Sequence, residues 1–200
     1  TEGLVSLLWP HYMRTIPSLS VVAFSPEWQQ LRKMEMLEEG FSVLSRPISP
    51  DNTVCQYRTT REVLLQPLHL SEARLQTEPD GRAAIRLRFD CPDKVDWSKA
   101  GIDKVAIYLD ADSPVASALH LAMTRRVHAM YARHSETRTE RVRFDGWCKP
   151  MGFDDTDRLW PKGDSAFSGY QMLLEYFSFR DKFMFVELKG LELAGLNQKT

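Results

Sequence analysis

The chain has 200 residues, 43% of them apolar, with 26 basic and 27 acidic side chains. That is enough apolar chain for the core of one domain, or at most of two small ones. The near-balanced charge lacks the basic excess of a nucleic-acid binder, gives no reason to expect docking on anionic lipid, and suits a chain that lives in an assembly. Cys55, Cys91 and Cys148 are odd in number, far apart and without a C-x-x-C pair. Neither a disulfide framework nor a structural zinc site is expected, and a reducing compartment is. No apolar run approaches the roughly 18 residues that a bilayer-spanning helix needs. The first eight residues have neither the basic region nor the cleavage site of a signal peptide. The chain starts at Thr1 without an initiator Met and is expected to be an internal section of a longer protein.

Residues 4–8 read as the end of a helix that Pro10 stops. Pro10 and Pro17 forbid one continuous helix across 9–24, because each lacks an N–H and restricts the residue before it. The same stretch carries Trp9, Tyr12, Ile16 and Phe24, which a solvated loop would not. An extended arm over 1–24 is expected, lying on its own domain or on a partner, with 18–24 as a Val-rich strand. Pro26 opens a short helical or turn segment that Gly40 stops. Strands are expected at 41–45 and, from its alternation, at 53–59. The apolar run 63–70 contains Pro67, which confines it to a sheet edge or a bulge. Residues 72–90 read as a hairpin about the turn Glu78-Pro79-Asp80-Gly81, with Ile85, Leu87 and Phe89 inward and Arg86 and Arg88 outward. After a loop around 99–101, residues 104–109 are a strand of strong β formers.

Asp112 or Ser113 can cap the next helix, with Pro114 near its first position. Val115, Ala118, Leu119, Ala122, Met123, Val127, Met130 and Tyr131 continue one stripe at three-four spacing to about His134. A strand at 140–148, a polar loop over 154–168, a second helix over 168–178 and a strand over 183–188 complete the chain. The predicted class is α+β, mostly an antiparallel sheet or sandwich with two main helices at about 113–134 and 168–178. Residues 25–200 form its α+β domain, with a possible division into subdomains near 100.

Few side chains group in a way that suggests chemistry. Asp110-Ala111-Asp112 ends an apolar strand, where paired carboxylates can hold a hard cation such as magnesium. That is the signature of a metal-dependent enzyme handling phosphate or sugar. The plain reading makes Asp112 a helix cap and Asp110 a turn residue. Asp154-Asp155-Thr156-Asp157 lacks the glycine and glutamate of a calcium loop, so it reads as a solvated acidic turn. His120 and His128 are eight residues apart and do not make the i, i+4 pair of a helical metal site. No Gly-x-Ser-x-Gly elbow occurs, and Cys55 and Cys148 read as buried thiols. The basic run 133–143 is interrupted by Glu136 and Glu140 and reads as a solvated turn and strand edge.

Several phrases carry a family resemblance. Trp9-Pro10-His11-Tyr12-Met13 with Ile16-Pro17-Ser18, Cys55-Gln56-Tyr57-Arg58-Thr59, and Gln66-Pro67-Leu68-His69-Leu70 resemble phrases of the TssF family, also called VasA or ImpG. The strand–helix unit from Val105 through Leu121, Met151-Gly152-Phe153-Asp154 with Leu159-Trp160-Pro161, and Phe167-Ser168-Gly169-Tyr170 through Lys182-Phe183 follow in the family's order. The last phrase is the longest and most specific. Trp9 stands where Tyr is usual, and Asp110-Ala111-Asp112 replaces the usual glycine before the last acid.

The resemblance implies a non-enzymatic, cytoplasmic subunit of the type VI secretion baseplate, assembled at the inner face of the inner membrane, with no metal or cofactor. It implies partners of the TssG, TssK and TssE types and a second copy of the chain, in a wedge like that of contractile phage baseplates. Large rigid side chains would supply the contacts. In 169–183, Tyr170, Leu173, Leu174 and Phe177 are expected in the core, while Tyr176, Phe179 and Phe183 are left for a seam between domains or subunits. Trp9, His11, Tyr12 and Ile16 of the arm join them as candidate interface residues, His11 through packing and hydrogen bonding.

Overall fold

Short apolar segments parted by turn residues build mostly two-stranded ribbons. A computed structural model describes residues 15–27, 29–48, 50–92, 101–133, 141–160 and 168–194. The helix end expected over 4–8, the loop before Gly101 and the basic residues 134–140 lie outside these. Antiparallel pairs form between β1 (Glu35–Leu37) and β4 (Val63–Leu65), and between β2 (Ser42–Leu44) and β3 (Gln56–Arg58). A long hairpin joins β5 (His69–Thr77) to β6 (Ala83–Asp90). Its turn is the one read from the sequence: Gly81 N–H donates to the Glu78 carbonyl at 2.8 Å, with Gly81 at φ +82°. A central sheet follows in the order β10 (Trp147–Pro150), β11 (Phe185–Lys189), β7 (Lys104–Tyr108), all antiparallel. β8 (Met130–Ala132) pairs with β9 (Val142–Phe144). The helices are α1 (Ser113–Arg125) and α2 (Ser168–Ser178). Mixed helices and small antiparallel sheets make the fold α+β, as expected.

The core lies between one face of the central sheet and α1. Val186, Leu188 and Cys148 from the sheet meet Ala116 and Met123 from the helix, with Ile102, Leu109 and Leu191 closing the ends. Burial pushes the Cys148 thiol up to about 11, so this sulfur is a packing group. The opposite sheet face is polar. Glu187 sits between Lys104 at 3.3 Å and Lys189 at 3.1 Å. Burial alone would raise this carboxyl, but hydrogen bonds from the two lysines outweigh it and hold it below the usual range. Arg61 lies over the Phe185 ring, 4.3 Å from its centroid. Residues before 92 contribute little core. Pro67 is fully buried between β4 and β5, and Met34 and Leu68 pack against the main cluster.

Several elements differ from the sequence reading. Residues 18–24 are extended but pair with no strand; side-chain contacts hold them instead, between Ser18 and Tyr57 and between Phe24 and Phe41. The segment after Pro26 turns at 29–30 and then forms β1, because Met36 and Leu37 find β4 and pairing overrides helix propensity. α1 stops at Arg125 instead of near His134. Val127, Met130 and Tyr131 keep a helical rhythm, yet 130–132 pair with β9. The strand expected over 140–148 is two strands, since β9 and β10 belong to different sheets and the chain changes partner at 145–146. Asp112 occupies the N-cap of α1 without a side-chain capping bond. Cys55 is only half-buried. Hairpin residues meant to face inward stay exposed, Ile85 among them, and its cross-strand partner Leu75 is 70% exposed.

Two predictions follow from backbone and burial. Gly152 has φ +93°, and a Cβ there would stand 2.8 Å from the Lys182 carbonyl oxygen. Gly81 is equally left-handed, but nothing would meet its Cβ within 4 Å. Gly81→Ala is therefore expected to cost about 1–2 kcal/mol of backbone strain, and Gly152→Ala about 3 kcal/mol or more, measured by denaturant unfolding. Equal losses would contradict the close approach. His120 on α1 has its Nε2 buried without a hydrogen-bond partner, and burial lowers its pKa from 6.5. Its neutral form is favoured on folding, so its contribution is complete above pH 6.5 and is lost as pH falls through the lower folded-state value. The urea midpoint should fall from pH 7.5 to about pH 5 less steeply in His120→Gln than in the parent chain.

Candidate docking surface

α2 has the sequence Ser168-Gly169-Tyr170-Gln171-Met172-Leu173-Leu174-Glu175-Tyr176-Phe177-Ser178. It is apolar almost all round, so its hydrophobic rhythm does not choose an inward face. Gln171 and Glu175, one turn apart on the same face, make the choice. They are only 5% and 1% exposed. The Glu175 carboxylate accepts from the Leu159 N–H at 3.1 Å and from Gln171 Nε2 at 3.0 Å, and it pairs with the Lys182 ammonium. Gln171 Nε2 also donates to the Trp160 carbonyl at 2.7 Å. Each buried charge thus has a counter-charge, and the carboxylate has two further donors, the condition under which a buried pair is tolerated.

Lys182 reaches this site from a 3-10 turn, Arg180–Phe183. The next residue, Phe183, is 2% exposed and stacks between Phe153 at 5.1 Å and Tyr176 at 5.7 Å between centroids. Arg180 holds the turn to α1 through Ser113 Oγ at 2.5 Å and Ser117 Oγ at 2.8 Å. Gly152-Phe153, Leu159-Trp160, Gln171-Glu175 and Lys182-Phe183 come from separate phrases of the sequence, and the fold brings them to one place. Sequence reasoning missed this network. Its signal was available: two polar residues at i, i+4 in an otherwise apolar helix, then a lysine seven residues on.

The consequence reverses the expected division of 169–183. Tyr170, Leu173 and Phe177, assigned to the core, are 52%, 55% and 81% exposed. Phe183, assigned to the seam, is inside; Phe179 is half-buried and Tyr176 lies at the margin, with the Arg180 guanidinium 5.8 Å from its ring. The outward stripe runs at i, i+3, i+7, and the one ionisable residue of α2, Glu175, is on the other side. Such a stripe offers apolar area without charge to desolvate.

The arm supplies a second apolar surface. Residues 15–27 run extended, Ile16 is exposed, and Ser18 Oγ lies 3.2 Å from the Tyr57 hydroxyl. Trp9, His11 and Tyr12 lie outside the described residues. A groove of about 760 Å3 opens between the arm and the polar face of the central sheet. Its charges alternate in sign: Arg61, Lys104 and Lys149 face Asp154, Asp157 and Glu187.

The residues that suggested metal chemistry do not converge. Asp110 and Asp112 are exposed in the β7–α1 loop. Asp154 pairs with Lys149 at 2.5 Å, Asp155 with Arg158, and Asp157 accepts from the Gly152 N–H at 2.8 Å. Among the described residues, no three His, Cys, Asp or Glu side chains are grouped to hold a metal ion, and no helix is long and apolar enough to cross a membrane.

Comparison with known proteins gives this arrangement a context. Residues 1–199 match the family model described as "Type VI secretion system, TssF". The chain is 30% identical over 209 aligned positions to the type VI secretion system component TssF1 of Pseudomonas aeruginosa, covering 97% of this chain and 34% of that protein. A chain in a cryo-electron-microscopy structure of a type VI secretion TssK-TssF-TssG baseplate subcomplex is 55% identical, with a TM-score of 0.88 over 96% of this chain and 36% of its own. A chain in a structure of the type VI secretion baseplate complex is 54% identical, with a TM-score of 0.61 over 94% of this chain and 32% of its own. The chain spans about a third of the length of these relatives. On a family match over nearly its whole length, it belongs to the TssF family of type VI secretion proteins.

Proposed function

We propose that this chain is part of a structural subunit of the type VI secretion baseplate wedge, and that it acts by docking to other proteins without catalysing a reaction. The observation that carries this reading is its likeness, over nearly all its length, to a chain found in a TssK-TssF-TssG baseplate subcomplex. Partners of the TssG and TssK types follow from that likeness. A TssE-type partner, a second copy of the chain, and assembly in the cytoplasm at the inner face of the inner membrane complete the proposal. The α2 stripe of Tyr170, Leu173 and Phe177, with Tyr176 at its margin, is the proposed contact within the described residues. The arm, through Trp9, His11, Tyr12 and Ile16, is a second contact. Phe179 supports the stripe from its half-buried position, and Phe183 supports it from inside.

Exposed aromatic side chains on a helix held rigid by its opposite face lose little entropy on binding. In the full-length protein, Phe177→Asp and Leu173→Asp should reduce co-purification with TssG- and TssK-type partners by about tenfold or more, the loss of a hot-spot side chain. The melting temperature should hardly move, because exposed substitutions change stability by about 0.5 kcal/mol or less. Full retention of both partners in the double variant would remove α2 from the interface. Failure of the unmodified protein to bring down either partner would remove the baseplate reading.

A further inference from the structure

Residues 151–160 form a strap across the end of α2 with little apolar anchorage of its own. Phe153 is largely exposed although its ring meets Phe183, and residues 154–156 are exposed. The near end is fixed to the sheet by the Met151 N–H bond to the Phe185 carbonyl at 3.0 Å. The far end is fixed differently. Leu159 donates its N–H to Glu175, and Trp160 receives the amide of Gln171, which itself donates to Glu175. Both far-end bonds therefore run through a carboxylate that stays ionised in a nearly dry site beside Lys182. Met151, Asp154, Thr156, Asp157 and Leu159 of the strap also line the 760 Å3 groove.

We propose that the buried Glu175–Lys182 pair is a latch: it holds the far end of the strap on α2 and so keeps that wall of the groove in place. The latch goes beyond the baseplate reading and does not depend on it. Removing one charge leaves the other buried without a partner, and the cheapest relief is for the strap to lift and admit water. The sheet need not open with it, because Met151 is bonded on the near side. Neutralising both partners removes the stress: a Gln at 175 still accepts from Leu159 and Gln171, and a Met at 182 fills the space of the lysine stem.

Hydrogen exchange read by mass spectrometry in the full-length protein tests this, comparing strap peptides within 153–160 with β11 peptides within 185–189. In Glu175→Gln and in Lys182→Met, strap exchange should rise at least about tenfold relative to β11. In Glu175→Gln/Lys182→Met it should return to within about threefold of the parent ratio. If strap and β11 accelerate by the same factor in the single variants, the pair serves the whole core and is no latch. If the double variant exchanges as fast as the faster single one, the two groups are not coupled and the proposal fails. Should Glu175→Gln not fold, Lys182→Met and the double variant decide it by the same ratios.

Discussion

One ion pair, Glu175 with Lys182, constrains much of the second half of this chain. A charge at 1% exposure is costly unless every part of it is engaged. Here the carboxylate takes an ammonium, a backbone N–H and a side-chain amide. Those partners come from the strap, the helix itself and the turn before β11. None of the three can move far without leaving a charge unsatisfied. The glycine at 152, where a Cβ has no room beside the Lys182 carbonyl, belongs to the same requirement. The strap has to come that close for Phe153 to reach Phe183 and for Leu159 to reach Glu175.

The pair also decides what the surface looks like. A helix of eleven residues with apolar side chains almost all round would ordinarily be buried on every side. Turning its two polar residues inward leaves Tyr170, Leu173 and Phe177 outward. The stability of this helix thus rests on a polar face, while its large apolar side chains remain available. That is an economical arrangement for a subunit that works by being covered. The same logic extends to the thin ribbons before residue 92, which bury little of their own and keep Leu75, Ile85 and Ile16 exposed. Two-stranded ribbons are marginal alone in water, so contacts beyond them suit their construction.

Much of the fold was legible in the sequence because local signals and tertiary pairing agreed. The turn at 78–81 is fixed by backbone chemistry, with a glycine where φ is positive, so the hairpin could be read with its boundaries. The strand at 104–108, α1 from Pro114, and α2 with both its ends were equally visible. Where reading failed, a long-range partner had overruled a local rhythm. Val127, Met130 and Tyr131 continue a helical stripe, but 130–132 gain more from pairing with 142–144. The 34–37 run favours helix and becomes β1 because β4 lies beside it.

The sequence alone determined the class of the fold, its strongest turn, its two helices, and, through long aromatic phrases, the TssF family to which the chain belongs. Those properties depend on neighbours in the chain or on phrases that survive as strings. Only the tertiary structure decided which side of α2 faces inward. Hydrophobic period cannot rank two apolar faces, and the deciding groups, Leu159, Trp160 and Lys182, lie seven or more residues from Glu175 and meet it only when the chain has folded.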